Sequence, residues 1–86
     1  MSHDRMNKMK ILLTDALEPS TLDIIDDSHH HAGHHGAQTG GGHFTVRIAS
    51  RAFEGESLLN CHRKVYQALG NMMEREIHAL SIDILR

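Results

Sequence analysis

Residues 43–85 read HFTVRIASRAFEGESLLNCHRKVYQALGNMMEREIHALSIDIL, with an alternating apolar run at each end and a helical run between them. In the first run, Phe44, Val46 and Ile48 alternate with polar side chains, which is typical of a strand buried on one face. The last run, at residues 77–85, alternates in the same way. Two such strands joined by a helix pair in parallel through a right-handed crossover, so the stretch predicts a strand–helix–strand unit.

The helical run, residues 57–73, places apolar side chains at offsets of three and four, as a helix with one buried face does. A turn at residues 53–55 precedes it, and Gly70 weakens its last turn. Farther upstream, residues 6–17 show the same spacing and predict a first helix. Pro19 ends that helix because proline cannot donate the backbone hydrogen bond that a helix needs.

The remaining segments complete a small domain. Residues 20–27 hold a short β-branched run that predicts the first strand, and a His- and Gly-rich loop at residues 28–42 leads to the strand at residues 43–50. Residues 1–5 are expected to be disordered. The element order is α-β-β-α-β, and a three-stranded mixed sheet with both helices on one face gives an α+β two-layer sandwich, a single domain over residues 1–86.

The composition limits the classes of function. The chain has 86 residues, 9 Lys and Arg against 11 Asp and Glu, and a formal charge of −2, so it lacks the excess of basic residues usual in nucleic-acid-binding proteins. Its one cysteine excludes an intramolecular disulfide and any zinc site that needs two thiolates. No apolar run is long enough for a membrane span or a secretory signal, so we expect a cytoplasmic protein, with an organelle matrix as the alternative.

Several short motifs follow one another along residues 6–85. They are Asp26-Asp27-Ser28-His29, His31-Ala32-Gly33-His34, His43-Phe44, Phe53-x-Gly55-x-x-Leu58-Leu59, His62-Arg63-x-Val65-Tyr66-x-x-Leu69 and Ile77-His78-Ala79-Leu80. In this combination the chain resembles the BolA-like family. It departs from the family pattern in two ways: it stops at Arg86, so a terminal helix is expected to be absent or vestigial, and it has Cys61 where the family more often has arginine.

The resemblance implies a class II KH-like fold and a partner, a monothiol glutaredoxin. Family members form a heterodimer with such a glutaredoxin around a 2Fe–2S cluster, and act in iron–sulfur cluster assembly and trafficking or in iron homeostasis. His78 is then the shared cluster ligand, and the loop supplies the second ligand, with His31 favoured and His34 as the alternative. A glutaredoxin cysteine and the cysteine of bound glutathione supply the other two, so the isolated domain, a monomer, is expected to bind no stable cluster.

A second function that the resemblance implies is transcription regulation, because bacterial members are described as stress-linked morphology factors that regulate transcription. The residues available for contact with duplex DNA or with a partner protein are Arg63, Lys64, Arg47, Phe53 and Gly55. The charge of −2 favours a docking surface for a protein over a DNA-binding surface. A third function is a zinc or copper buffer built on the nine histidines.

Less specific interpretations apply to the same residues. His78 on an apolar strand face can simply close the core, and loop histidines hold nickel, zinc or copper whether or not biology uses them. Most single cysteines are inert, which is the favoured reading of Cys61. Residues 33–36 match the Gly-x-x-Gly clamp of KH domains, but they join two strands instead of two helices. Because no catalytic motif is present, we expect no enzyme activity.

Overall fold

The computed structural model describes residues 2–28 and 42–86, and these form a small α+β structure. Its elements are α1 (Ser2–Leu17), β1 (Thr21–Asp26), β2 (Gly42–Ala49), a 3-10 helix (Arg51–Phe53), α2 (Leu58–Leu69), α3 (Met72–Arg75) and β3 (Ile77–Ile84). The predicted order of helices and strands is confirmed. Of the predicted His- and Gly-rich loop, only its first and last residues are described, and the last of them already belongs to β2.

The sheet has the order β1-β2-β3, with the most strongly alternating strand in the centre. β1 pairs with β2 antiparallel, with Ile24 opposite Val46. β2 pairs with β3 in parallel, with Phe44 opposite Leu80. The predicted mixed sheet and the strand–helix–strand crossover are therefore confirmed.

The core lies between the sheet and the helices. Because side chains alternate along β2, three of its apolar side chains point toward α1 and α2. Each of these helices packs its apolar stripe against them. The buried residues of these elements are Met9, Leu13 and Leu17 of α1, Phe44, Val46 and Ile48 of β2, and Cys61, Val65 and Leu69 of α2. The opposite face of the sheet, here called the open face, carries no helix within the described residues, which confirms the two-layer sandwich.

Helix α1 begins earlier than its apolar spacing predicts. The structure continues the helix back to Ser2, so residues 2–5, for which disorder was expected, are helical. Asp4 lies in the first turn, where a carboxylate interacts favourably with the helix dipole. Polar residues such as these carry no apolar periodicity, which is why the sequence pattern did not extend to them. None of the helices described is long and apolar enough to cross a membrane.

The predicted helix at residues 57–73 is divided in two. Ser57 caps the start of α2, since its side chain accepts a hydrogen bond from the backbone N–H of Asn60 at 3.1 Å. At the other end Gly70 adopts φ +54° and ψ −127°, a conformation that residues with a side chain rarely adopt. The chain therefore leaves α2 at Gly70 and starts the short α3 before it enters β3.

Candidate functional site

His78 lies at an irregularity in the pairing of β2 with β3. Gly42 pairs with Ile77. The next pair joins His43 to Ala79, so β3 has one extra residue between these pairs, a β-bulge. The extra residue is His78, and its side chain is exposed although that of Ile77 is buried. The bulge thus leaves an imidazole accessible at the beginning of β3.

The ring of His43 lies beside the ring of His78. The two ring centroids are 5.0 Å apart and the planes are inclined by 46°. His43 is half-buried and belongs to the open face, because Phe44 next to it points into the core. Imidazole nitrogen is a common ligand of iron, zinc and copper. The bulge therefore brings together two potential metal ligands from neighbouring strands.

Hydrogen bonds fix the backbone of His43 from the side of β1. Its N–H donates to the hydroxyl of Ser28 at 3.0 Å, and its carbonyl accepts from the N–H of Asp27 at 2.7 Å. The hydroxyl of Thr45 donates to the carboxylate of Asp27, and the N–H of Ser28 donates to a carboxylate oxygen of Asp26 at 2.9 Å. These bonds extend the contact between the two strands beyond the end of β1, so His43 has a well-defined backbone position.

The predicted loop ligands His31 and His34 lie outside the described residues, so their relation to His78 stays a prediction. Sequence reasoning did not single out His43 as a potential ligand, since it appeared only as part of a motif. The register of β2 against β3, with its bulge, is what joins the two histidines, and single-strand patterns do not carry that information. Within residues 2–28 and 42–86, no three His, Cys, Asp or Glu side chains are close enough together to hold a metal ion.

A second candidate surface lies on the solvent side of α2. Arg63 and Lys64 line an open groove of about 260 Å³ together with Glu56, Asn60 and Gln67. Arg63 is exposed and Lys64 is half-buried. The lining is polar and carries both signs of charge, so it can exchange hydrogen bonds and ion pairs with a macromolecular partner.

Arg47, predicted to belong to the same surface, lies on the other layer of the sandwich. It projects from the open face of the sheet, and its Nε lies 3.3 Å from a carboxylate oxygen of Asp83 on β3. On its other side it pairs in register with Asp23 of β1. The structure therefore does not bring Arg47 together with the basic residues of α2, and the carboxylate of Asp83 offsets its charge.

The turn before α2 contributes one buried and one exposed residue. Phe53 is 1% exposed and belongs to the core, so its side chain is not available for a surface contact. Gly55 is exposed and has φ +75°, a backbone conformation that is strained for a residue with a side chain. The role of these residues is to turn the chain from the 3-10 helix into α2.

Cys61 is completely buried on the inner face of α2. Its Sγ lies 3.9 Å from the carbonyl oxygen of Phe53 and 3.9 Å from Nη1 of Arg86. The same Nη1 donates to the carbonyl of Glu56 at 2.7 Å. Burial keeps the thiol away from solvent, in agreement with the reading of Cys61 as a packing residue.

Known proteins with similar sequences share this domain. Over 82 residues the chain is 42% identical to the protein BOLA1, chloroplastic, of Arabidopsis thaliana, and the match covers 92% of this chain and 51% of that protein. Over 67 residues it is 34% identical to the DNA-binding transcriptional regulator BolA of Escherichia coli strain K12, covering 78% of this chain and 61% of the relative. The chain thus spans about half of BOLA1 and somewhat more of the bacterial regulator. Neither name states a catalytic activity.

The fold agrees with a solved structure. The BolA domain of SufE1 from Arabidopsis thaliana superimposes with a TM-score of 0.80 at 38% sequence identity, and the match covers 93% of this chain and 88% of that one. The sequence model of the family described as BolA-like protein matches residues 13–85, which include both His43 and His78. On these findings, the chain belongs to the BolA-like family.

Proposed function

We propose that this protein is a non-enzymatic adapter that binds a monothiol glutaredoxin and shares a bridging 2Fe–2S cluster with it. His78 supplies one ligand, and a histidine of the segment between β1 and β2 supplies another, His31 in preference to His34. The glutaredoxin and its glutathione provide the two thiolates that this chain lacks. The adapter serves iron–sulfur cluster assembly or iron homeostasis in a reducing compartment, the cytoplasm in the first instance.

The observation that carries the proposal is the exposure of His78 at the β-bulge. A histidine that only closed the core would be buried, whereas His78 is exposed: the bulge places it outside, although regular alternation back from Leu80 would put it on the core side. Histidine is an established ligand of 2Fe–2S clusters, as in Rieske centres. An exposed imidazole on a rigid strand can reach an iron that a partner protein presents.

A second support comes from the solved relative. A BolA domain with this fold occurs as one domain of the protein named SufE1. We interpret its occurrence within another protein as support for an adapter role, in which the domain works next to a partner. The support is independent of the geometry at His78.

The adapter is tested by reconstitution. The purified chain is mixed with a monothiol glutaredoxin, glutathione, iron and sulfide under anaerobic conditions, and visible circular dichroism is compared with that of the glutaredoxin alone. We expect a new spectrum at one-to-one stoichiometry. An unchanged glutaredoxin spectrum would disprove the adapter function.

Variants then test the ligands. His78→Ala is expected to abolish the new spectrum while the fold persists, because the side chain is exposed. Ser81→Ala, also exposed on β3, is the matched control and should leave the spectrum as it is. His31→Ala and His34→Ala separate the two candidates for the second ligand. A spectrum that survives His78→Ala would refute the assignment of His78 as a ligand. It would not argue against binding of the glutaredoxin.

Regulation of transcription is the second candidate, favoured by the name of the bacterial relative and by the basic residues of α2. Fluorescence anisotropy with duplex DNA at increasing salt tests it. The slope of log K against log salt is negative, and each lost phosphate contact reduces its magnitude by about 0.9. Arg63→Ala and Lys64→Ala should each show this loss, whereas Arg47→Ala, which removes an equal charge from the other layer, should not. Equal effects of all three would indicate unspecific attraction.

A further inference from the structure

We propose that two copies of this chain form a weak, reversible dimer by pairing their β3 strands antiparallel, edge to edge, so that the two sheets continue into one. Within the described residues β3 is the last strand of the sheet, and no strand pairs with its outer edge. The dimer needs neither a glutaredoxin nor a cluster. The proposal therefore stands or falls independently of the adapter function.

The outer edge of β3 presents backbone groups at every second residue. The N–H of Leu85 donates to the carbonyl of Ile48 on β2 at 2.8 Å, so the backbone groups of Leu85 are directed toward β2. In a parallel pair the N–H and C=O of one residue point to the same side, and this side alternates along the strand. The backbone groups of Leu80, Ile82 and Ile84 therefore point away from β2 and are available to another strand.

The side chains of β3 favour such pairing. Leu80, Ile82 and Ile84 pack against the core but stay half-buried, so a second strand beside them would cover more of their apolar surface. The one carboxylate of β3, that of Asp83, is already paired with Arg47 of β2. β3 thus lacks the lysines and prolines with which edge strands are commonly protected against pairing.

The opposite edge of the sheet, β1, is protected. It carries Asp23 and Asp26 within a strand of six residues. Asp26 lies on the same face of the strand as Ile24, and an inward-facing charge on an edge strand is one of the devices that discourage pairing with another chain. The contrast between the two edges identifies β3 as the edge at which a second copy docks.

A second copy fits because β3 is complementary to itself in one register. With Ile82 opposite Ile82 of the second copy, Leu80 lies opposite Ile84 on the core side, and the outward backbone groups of these residues form hydrogen-bonded pairs. On the open face Ser81 then lies opposite Asp83 of the second copy, so no two carboxylates meet. The two-fold symmetry makes the contact between Ser81 and Asp83 occur twice.

The dimer is weak because the interface is small. Stable interfaces bury about 1,200–2,000 Å² in total, and a single pair of short strands lies at the low end of the known sizes. At low concentration the chain is therefore the monomer that the family resemblance implies. We expect association to become measurable as the concentration approaches about 1 mM.

Sedimentation equilibrium and amide hydrogen exchange test the dimer on the full chain. The mean mass should rise with concentration up to about 1 mM. Over the same range the N–H groups of Ile82 and Ile84 should become protected from exchange. Those of Ser81 and Asp83, which point toward β2, should be protected at every concentration. A mass that stays that of the monomer up to this concentration would overturn the proposal.

Charge substitutions at Ser81, an exposed position, test the register. Ser81→Asp places like charges opposite each other twice and should raise the dissociation constant roughly two- to thirtyfold. Ser81→Lys places a cation opposite Asp83 of the second copy and should lower it by a similar factor. Thr21→Asp and Thr21→Lys, at an exposed position of β1, are the matched controls for net charge and should leave it unchanged.

Far-ultraviolet circular dichroism verifies the fold of each variant. Equal changes at Ser81 and Thr21 would show that net charge alone governs association, and would overturn the proposed interface. A weaker dimer in the Ser81→Lys variant would also overturn it, because Ser81 would then not lie opposite Asp83.

Discussion

His78 owes its exposure to one extra residue in β3. Without the bulge, regular alternation back from Leu80 would turn His78 toward the core and Ile77 toward solvent. The bulge corrects the alternation and at the same time releases an imidazole beside His43. A single insertion thus reconciles a buried strand face with a chemically available side chain.

A different residue, Phe53, shows how burial separates a core role from a contact role. We expect Phe53→Ala to lower the free energy of unfolding by about 3–5 kcal/mol, since the ring is 1% exposed and its removal leaves a cavity. Urea denaturation followed by circular dichroism measures the loss. Leu59→Ala, at a side chain that is 60% exposed, should cost less than about 0.5 kcal/mol. Similar small losses for both variants would contradict the assignment of Phe53 to the core.

Among the elements, β2 determines the arrangement of the others. Its alternation at Phe44, Val46 and Ile48 was readable from the sequence because each strand face repeats every second residue. The division of α2 from α3 was not readable, since Gly70 is also tolerated within helices and only its positive φ marks the break. The contact between the rings of His43 and His78 could not be predicted either, because it depends on register across strands that are distant in sequence.

At the start of β2, Gly42 provides the next prediction. A Cβ atom at this position would fall on the ring of Phe44, which is itself packed in the core and 2% exposed. We expect Gly42→Ala to destabilise the protein by about 1–3 kcal/mol through overpacking. Thermal unfolding monitors the change. Gly55→Ala is the control without steric overlap, since an added Cβ there meets no atom within 4 Å. Any loss of stability in that variant comes from the positive φ of the backbone. A fully stable Gly42→Ala variant would show that the ring can move aside.

At the scale of the whole molecule, one core joins all the elements. Residues from α1, β2, the 3-10 helix, α2, α3 and β3 belong to the same buried cluster, and Leu22 and Ile24 of β1 pack against it. Lys8 of α1 also forms an ion pair of 2.8 Å with Glu76, just before β3, although exposed pairs of this kind contribute little to stability. No element of the described part therefore has a separate core on which it could remain folded by itself.

The shared core predicts cooperative unfolding. We expect one transition, with coincident midpoints in far-ultraviolet circular dichroism and in tyrosine fluorescence from Tyr66 on α2. Leu13→Ala, at a completely buried position of α1, should shift both midpoints together and cost about 2–5 kcal/mol. Separate midpoints, with α1 melting first, would show that the helix is only loosely coupled to the sheet.

The parallel pairing of β2 with β3 also determines the sequence of events as the chain folds. β1 and β2 can form a hairpin early, but β3 reaches β2 only after the whole crossover through α2 and α3 has been ordered. Contacts between distant residues require a loss of loop-closure entropy before they contribute any favourable free energy. The docking of β3 is therefore expected to limit the folding rate. Until then one edge of β2 stands open, and at high concentration a strand of another molecule competes for it. Conditions that speed the ordering of the crossover should therefore raise the yield of refolded protein.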